Sequence, residues 1–547
     1  MINFIYCNFI YCNVFFDKLF FLFYSNYSKK YKLDNKRKSI MLPSKKHLKV
    51  GLIENPALGL YDTNDRNWTA LYRRHPLHSK QVLMGNLQAG GFDVELVNLR
   101  NGDHKEDIGE IYWKDMKLTA TAVGKNLSNL DPTQCDAWGI TVNYMQERHI
   151  AGRTIKYLAK GGRPIVVGGS DTLFSPEYYL NAGASAVVLD KSGSSNWHIM
   201  NYVLKKGMRN ELSNVILSDG TKIPKQRPIL TPEEWQLPSI EISKQCFGNE
   251  LTEEPFLKHL VPIGSVIPDI GCDRKCDFCQ TPKYGIGYNA MSSKKVIAWL
   301  NHQKAAGAKS VVITSDQFLG RLHFKHGRQD IFDIMQAARD LNLPILWING
   351  LDLAKMNLNS GKQNKSSTFI PDKELIKSLW GWDGKKGCFL GYIPAERPLL
   401  NTDKYSKLLS WQHHRELMKC IVKVGIPVII YGVIIGYPDD NHDNLSSLEN
   451  AIKALYDELY SINPALNFQV APYSIFPIPG TSLRKRIVKK GLLRFDNPEI
   501  LGGFWTPCCD THHMSYKDIS NWQFRLTQIG KIKKPDINYY GGLTMLK

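Results

Sequence analysis

Three cysteines crowd into one short stretch, Cys272, Cys276 and Cys279, within the string SVIPDIGCDRKCDFCQTPKYG. Thiolates are soft ligands suited to iron–sulfur clusters and to zinc. A Cys-x3-Cys-x2-Cys loop delivers three of them from a single turn of chain. Such a set caps three irons of a [4Fe–4S] cube and leaves the fourth iron open to another ligand. Zinc is the competing occupant, and a structural zinc site takes four protein ligands. Cys508, Cys509, His512 and His513 are remote candidates for the fourth. The sequence shows no nucleophile–base arrangement of the hydrolase kind.

A loop of this sort needs a scaffold that presents loops on one face. Around it, over residues 255–490, strand-like and helical patterns alternate. KSVVITSDQF follows the helix SSKKVIAWLNHQKAAG, and LPILWING follows the helix around DIFDIMQAARDLN. KKGCFLGYI follows DKELIKSLWG, GIPVIIYGVIIGYPDD follows a helix ending at Lys423, and FQVAPYSIF follows NLSSLENAIKALYDELYS. With the strand ahead of the cysteines this makes about six βα units, a partial (β/α)6, TIM-like barrel with its site at the strand C-termini.

A second α/β region precedes it over residues 47–205. HLKVGLIENP, FDVELVNL, CDAWGITVNYM, RPIVVGGS and SAVVLD read as strands, with helices SKQVLMGNLQAGG and ERHIAGRTIKYLAKGG between them. The alternation predicts a doubly wound, flavodoxin- or Rossmann-like parallel sheet. Ligands of such sheets sit beyond the strand C-termini, here Asn55-Pro56, Thr141 to Tyr144, Gly168 to Asp171 and Asp190. Residues 206–254 read as a linker and 491–547 as a C-terminal segment of helix and loop.

VVGGSDTLFSPEYYLNAGASAVVLD resembles the cobalamin-binding domain that precedes many radical S-adenosylmethionine (SAM) domains. The whole of about 50–490 resembles the cobalamin-dependent branch of the radical SAM superfamily, the class B methyltransferase-like enzymes. The resemblance implies that Cys272, Cys276 and Cys279 hold a [4Fe–4S] cluster. It places Phe278, Ser315, Asp316, Glu396, Gly432, Ile434, Gly436 and Asp439 around SAM. The stretch Gly432 to Asp439 matches Gly-x-Ile-x-Gly-x-x-Glu with Asp for Glu, and Pro479-Gly480-Thr481 matches the turn after the sixth strand. Where the family has Gly-Ile-Glu this chain has Gly391-Tyr392-Ile393, with Glu396 displaced. For cobalamin the resemblance implies Asn55, Pro56, Thr141, Asn143, Tyr144, Gly168, Gly169, Ser170 and Asp171. The first loop lacks the cobalt-ligating histidine of some relatives. His149 has the spacing of that motif but follows the third strand, so it is expected to be an ordinary helix residue and cobalamin to lack a histidine lower ligand. Lys191-Ser192-Gly193 replaces the usual Gly-Glu-Gly-Glu.

The implied activity is methylation of an unactivated carbon in a small molecule or natural-product precursor. The alternatives are a rearrangement or cyclisation, non-radical transfer like that of the tryptophan C2-methyltransferases, and, from another class, a zinc-stabilised interaction module. The implied partners are a small-molecule substrate and an electron donor such as flavodoxin or ferredoxin.

Composition fits this reading. The 547 residues are 43% hydrophobic and 22% charged, as in globular chains. Eleven cysteines in so long a chain do not form a small disulfide framework. The net charge of +19 is partly a basic run between Lys29 and Lys49, with no basic, aromatic-interleaved groove for nucleic acid. Residues 1–46 open on an apolar repeat (NFIYCNFIYCN). Asparagines interrupt it short of a span of about 20 residues. It is expected to be a disordered extension or an upstream start ahead of Met41 rather than an anchor, and the protein to be cytoplasmic without firm membrane association.

Overall fold

Short apolar strands that end in polar loops build two parallel sheets, and the site lies where their loops meet. The computed structural model describes residues 47–69, 75–191, 196–226, 228, 230–249, 255–358, 369–399, 409–501 and 503–534. The expected N-terminal extension over 1–46 lies outside them.

The first sheet contains β1 (Lys49–Glu54), β3 (Asp93–Asn98), β6 (Ala137–Thr141), β7 (Ile165–Gly168), β8 (Ala186–Val188), β9 (Val215–Leu217) and β10 (Lys222–Ile223). Its order is β10-β9-β8-β7-β6-β1-β3. The five strands from β3 to β8 run parallel. Both faces are apolar, as a parallel sheet covered on two sides requires. Val50, Leu52 and Val166 pack beneath the helix His78–Ala89, and Ile53, Ile140 and Val167 beneath Arg148–Ala159. Strand order reverses between β1 and β6, which opens a ligand crevice at their carboxyl ends.

The stretch 206–254 is more than a linker. β9 and β10 pair antiparallel onto the first sheet, and Ile242 and Cys246 of the helix Ile240–Gln245 and its cap enter the same core. Strands of three and two residues are too short to register by periodicity. A further three-stranded sheet was also not anticipated: β2 (Ala57–Tyr61), β4 (His104–Trp113) and β5 (Met116–Gly124), in the order β2-β5-β4. The β4–β5 turn has positive φ at Lys114 (50°) and Asp115 (65°), a hairpin turn made without its usual glycine. Trp113, fully buried beside that turn, donates from Nε1 to Pro507 O at 2.9 Å.

The second sheet holds β11 (Ile263–Val266), β14 (Ser310–Ile313), β15 (Ile345–Trp347), β16 (Cys388–Glu396), β17 (Val428–Ile435) and β18 (Asn467–Ser474), six strands paired in that order and all parallel. A small ribbon of β12 (Asp269–Ile270) and β13 (Asn289–Ala290) flanks the cysteine loop. Side-chain caps at Ser292, Asp372, Ser410, Asn441 and Thr481 start the intervening helices, satisfying amides the first turn leaves open. The helix Tyr516–Thr527 covers β18, with Gln523 Nε2 donating to Pro472 O at 2.8 Å. No helix among the described residues is long and apolar enough to cross a membrane.

Candidate active site

The carboxyl ends of the two parallel sheets share one cavity of about 1020 Å³. The first sheet supplies Glu54, Asn55, Thr141, Asn143, Gly168 and Asp190 to its wall. The barrel supplies the three cysteines, residues 314–317, Asp352, Glu396 and Ile434. The cavity also reaches Leu52, Leu87, Gly139, Val166, Val188 and Met200, the apolar layer between the first sheet and its helices. A Cβ on Gly139 would stand 2.6 Å from Leu52 Cδ2 and 3.3 Å from Met200 Cε, so a larger residue on β6 would crowd that layer.

The cysteine loop is tightly turned. Gly271 has φ +80°, and a Cβ there would fall 1.6 Å from Gly287 O, so only glycine fits. Its N–H donates to Asp316 Oδ2 at 2.7 Å. The Arg274 N–H and Gln317 Nε2 lie 3.4 and 3.8 Å from Cys272 Sγ, donors that favour a thiolate. Arg274 Nε is held by buried Asp352 at 2.7 Å. Asp273 is an exposed residue; what burial its carboxylate has raises its pKa, but Lys355 and His323 win and hold it at about 2.

No three His, Cys, Asp or Glu side chains among the described residues gather closely enough for a single metal ion. A cube holds its thiolates farther apart, one at each iron corner. Cys508 and Cys509 lie in an apolar cluster with Trp113, Ile475 and Leu492, and Lys490 Nζ is 2.9 Å from His512 Nε2. None of Cys508, Cys509, His512 and His513 lines the cavity. The fourth ligand that the zinc alternative needs is thus not supplied from there.

Behind the loop, Ser315 Oγ donates to Asp269, 2.7 Å from each carboxylate oxygen, and the Gln317 N–H donates to Asp269 Oδ1 at 3.2 Å. Burial raises the Asp269 pKa to about 6, against the pull of Arg321 and these donors. Asp316 is likewise raised by burial, opposed by Gly271 N–H and by Lys191. Lys191 Nζ donates to Asn143 Oδ1 at 3.1 Å.

No family model matches the chain. A curated 4'-phospho-dehydrooxetanocin synthase from Priestia megaterium is 25% identical over 268 residues, 45% of this chain and 34% of the relative. In that match the chain spans about a third of the relative's length. Among solved structures, the radical SAM methyltransferase TsrM from Kitasatospora setae, with tryptophan and a SAM analogue bound, aligns over 81% of this chain and 76% of its own at 12% identity, TM-score 0.53. The cobalamin-dependent SAM radical enzyme OxsB, with aqua-cobalamin and SAM bound, aligns over 87% of this chain and 66% of its own at 15% identity, TM-score 0.58. The chain has the fold of the cobalamin-dependent radical SAM enzymes.

On this radical SAM fold, the residues expected around SAM divide. Phe278, Ser315, Asp316, Glu396 and Ile434 line the cavity. Glu396 arrives there through a register shift between Pro394 and Glu396 on β16, with φ +56°. The shift skips one residue of β16, whereas the glutamate stands three positions beyond Ile393. Gly432 and Gly436 do not line the cavity. Gly432 makes room for a ring that does, since a Cβ would fall 2.1 Å from Tyr392 Oη. Asp439 does not line the cavity either: its side chain is 57% exposed and 3.4 Å from Arg397. The next residue, Asp440, is buried and accepts the N–H groups of Gly436 and Tyr437 at 2.8 and 3.0 Å.

On the side of the first sheet, Asn55, Thr141, Asn143, Tyr144, Gly168, Gly169, Ser170 and Asp171 line the cavity and Pro56 does not. Pro56 instead packs against Gly124, at the end of β5. Asp171 reaches the cavity edge, yet its carboxylate is taken by Arg148 at 2.7 and 2.8 Å and by Tyr179. Gly169 has φ +121°, and a Cβ would strike Val142 O at 2.2 Å. His149 lies off the cavity, beside Glu499 and Tyr178. Ser192 and Gly193 lie outside the described residues.

Sequence reading missed a buried charge network below the crevice. Arg100 Nη2 meets Glu54 at 3.0 Å and Glu147 at 3.1 Å, and Lys80 Nζ is 3.5 Å from Glu54. Burial works to raise the Glu54 pKa, but Arg100 and Lys80 bring it down, whereas burial prevails at Glu147 and raises it. Glu54 is the last residue of β1, and Glu147 lies in the short helical turn that follows β6. His78, beside this network, shares a 2.9 Å hydrogen bond between Nδ1 and Thr314 Oγ1 of the barrel. Burial, with help from His75 and against Glu54, lowers its pKa from 6.5 to about 3. The folded state then binds fewer protons than the unfolded chain between those values, so acidification through that window costs stability. We expect His78→Gln to flatten the fall in melting temperature from pH 6.5 toward pH 3 relative to the parent; parallel slopes would remove His78 from the account.

Proposed function

We infer that this chain is a cobalamin-dependent radical SAM enzyme that methylates an unactivated carbon of a small molecule. The supporting observation is the single cavity that joins the three thiols to the crevice of the doubly wound sheet. Its volume is at the top of the range of about 300–1,000 Å³ for drug-sized ligands, and its two ends differ in chemistry. A bound [4Fe–4S] cluster would supply the electron that cleaves SAM, and cobalamin a methyl carrier. Cys272, Cys276 and Cys279 would hold the cluster, with Arg274 N–H and Gln317 stabilising the Cys272 thiolate. Phe278, Ser315, Asp316, Glu396 and Ile434 would border SAM. Tyr392, Tyr473, Phe504 and Trp505 give the remaining wall an aromatic surface that excludes water.

Asn55 supports the cobalamin half. It is 2% exposed, lines the cavity, and both polar atoms of its side-chain amide lack a partner. Buried amides are normally satisfied, and the corrin rim carries primary amides that match its donor and acceptor. Asn55→Leu should weaken cobalamin binding by about 1–3 kcal/mol, roughly 5- to 150-fold, in an absorbance titration, with little change in melting of the cobalamin-free chain. Unaltered affinity would place the corrin elsewhere.

The match to a synthase favours a second reading, a rearrangement or cyclisation on the same scaffold. Anaerobic reconstitution with SAM, cobalamin and a strong reductant separates the two. 5′-Deoxyadenosine together with S-adenosylhomocysteine supports methylation. Deoxyadenosine alone supports the second reading, S-adenosylhomocysteine alone indicates non-radical transfer, and absence of both products overturns the assignment.

A further inference from the structure

The helix Ser482–Lys489 lies directly on the cysteine loop. Leu483 N–H and Ser482 Oγ donate to Asp277 O at 3.0 and 3.4 Å, and Arg486 reaches the Asp277 carboxylate at 2.5 Å. Gln280 Nε2 donates to Pro479 O at 3.0 Å, one turn earlier. Leu483 and Ile487 bury the inner face of the helix. Its outer face is basic, with Lys485 and Lys489 exposed, Lys490 following, and the apolar Val488 52% exposed among them. Lys275 and Lys283 are exposed on the cysteine loop and on the turn after it. The nearby carboxylates are mostly neutralised: Asp273 by Lys355 and His323, Asp277 by Arg486, Asp510 by Arg494. Asp496 is exposed and subtracts one charge.

We propose that this basic face, on the helix that packs against the cysteine loop, docks an acidic one-electron carrier protein of the flavodoxin or ferredoxin class. The proposal rests on the function inferred above. In the step it serves, the reduced carrier loses one electron and the cluster on Cys272, Cys276 and Cys279 gains it, with no bond or proton exchanged. Redox encounters use small, transient interfaces, in which complementary charge sets the encounter rate. A positive rim around one apolar side chain fits that type. The location also matters, because this helix contacts the loop that carries the ligands directly.

The test compares the reconstituted parent with Lys485→Glu/Lys489→Glu and with a control, Lys304→Glu. Lys304 is exposed at the end of the helix that leads into β14, at the opposite end of the barrel from the cysteine loop. Cluster reduction is followed by absorbance, with reduced flavodoxin or with reduced methyl viologen as donor. With flavodoxin at low salt, the double variant should reduce at least about 10-fold more slowly than parent and control, and raising the salt should narrow the gap. With viologen all three should match. Calorimetric titration with oxidised flavodoxin should show the same order of affinity. Equal flavodoxin rates and affinities in parent and double variant would overturn the docking face. No viologen-reducible cluster in any of the three would instead overturn the underlying function.

Discussion

Cys276→Ala is expected to abolish SAM cleavage while leaving the fold intact. The three thiols converge from one loop, and a cube bound by two of them loses a corner. Removing even an outer-shell partner of a metal ligand costs about 10–100-fold, so loss of a ligand itself should exceed about 100-fold, with the visible cluster absorbance lost as well. Stability should change little, because the side chain is only partly buried and belongs to none of the apolar clusters. Cys508→Ala is the contrasting variant. That thiol is fully buried in the cluster with Trp113 and Ile475, so its loss should lower the melting temperature and spare cleavage. Cleavage retained in Cys276→Ala at parental iron content would move the cluster elsewhere. Cleavage lost in a folded Cys508→Ala would return that thiol to the metal question.

The elements that position these residues were largely legible because their signals are local. Leu52 and Ile53 in β1, or Val166 and Val167 in β7, sit in unbroken apolar runs bounded by polar turns, and a parallel sheet buried on both faces produces that pattern. What was not legible depends on contacts distant in sequence. β9 and β10 are too short to announce themselves and exist because β8 offers them an edge. The β4 strand HKEDIGEIYW looks like solvated loop until Trp113 finds Pro507, 394 residues away. The β16 bulge next to Glu396 leaves no mark in one sequence, and the motif does not say which of the adjacent aspartates, Asp439 or Asp440, turns inward. Arg100, Glu54 and Glu147 were invisible for a related reason: each is an ordinary charged residue until the end of β1 and the loops after β3 and β6 bring them together.

Asp171 shows the same limit and leads to the second large effect. Its place after β7 suggests a cofactor contact and it lines the cavity, and its carboxylate also anchors the loop that borders the cavity. The carboxylate side chain is 1% exposed and accepts from Nε and Nη2 of Arg148, itself 12% exposed. Its backbone N–H donates to Val142 O at 3.2 Å, while Val142 N–H donates to Gly168 O at 2.8 Å, so the two strand-end loops are tied through this residue. Asp171→Ala would strand a largely buried cation and remove the acceptor of the Tyr179 hydroxyl. Breaking a buried pair from one side costs about 3–5 kcal/mol. At about 2–4 °C per kcal/mol for a domain of 150–250 residues, the cobalamin-free chain should melt at least about 6 °C lower. Asp171→Asn keeps the shape and one acceptor and should lose less. Arg148→Met/Asp171→Leu should recover much of the loss, because a packed apolar pair can replace a buried ion pair at little cost. A cofactor contact would behave differently: the cobalamin-free melting temperature would stay put in Asp171→Ala and only the added stability on cobalamin binding would shrink. A double variant no better than Asp171→Ala would show that the carboxylate is needed for something other than its partner.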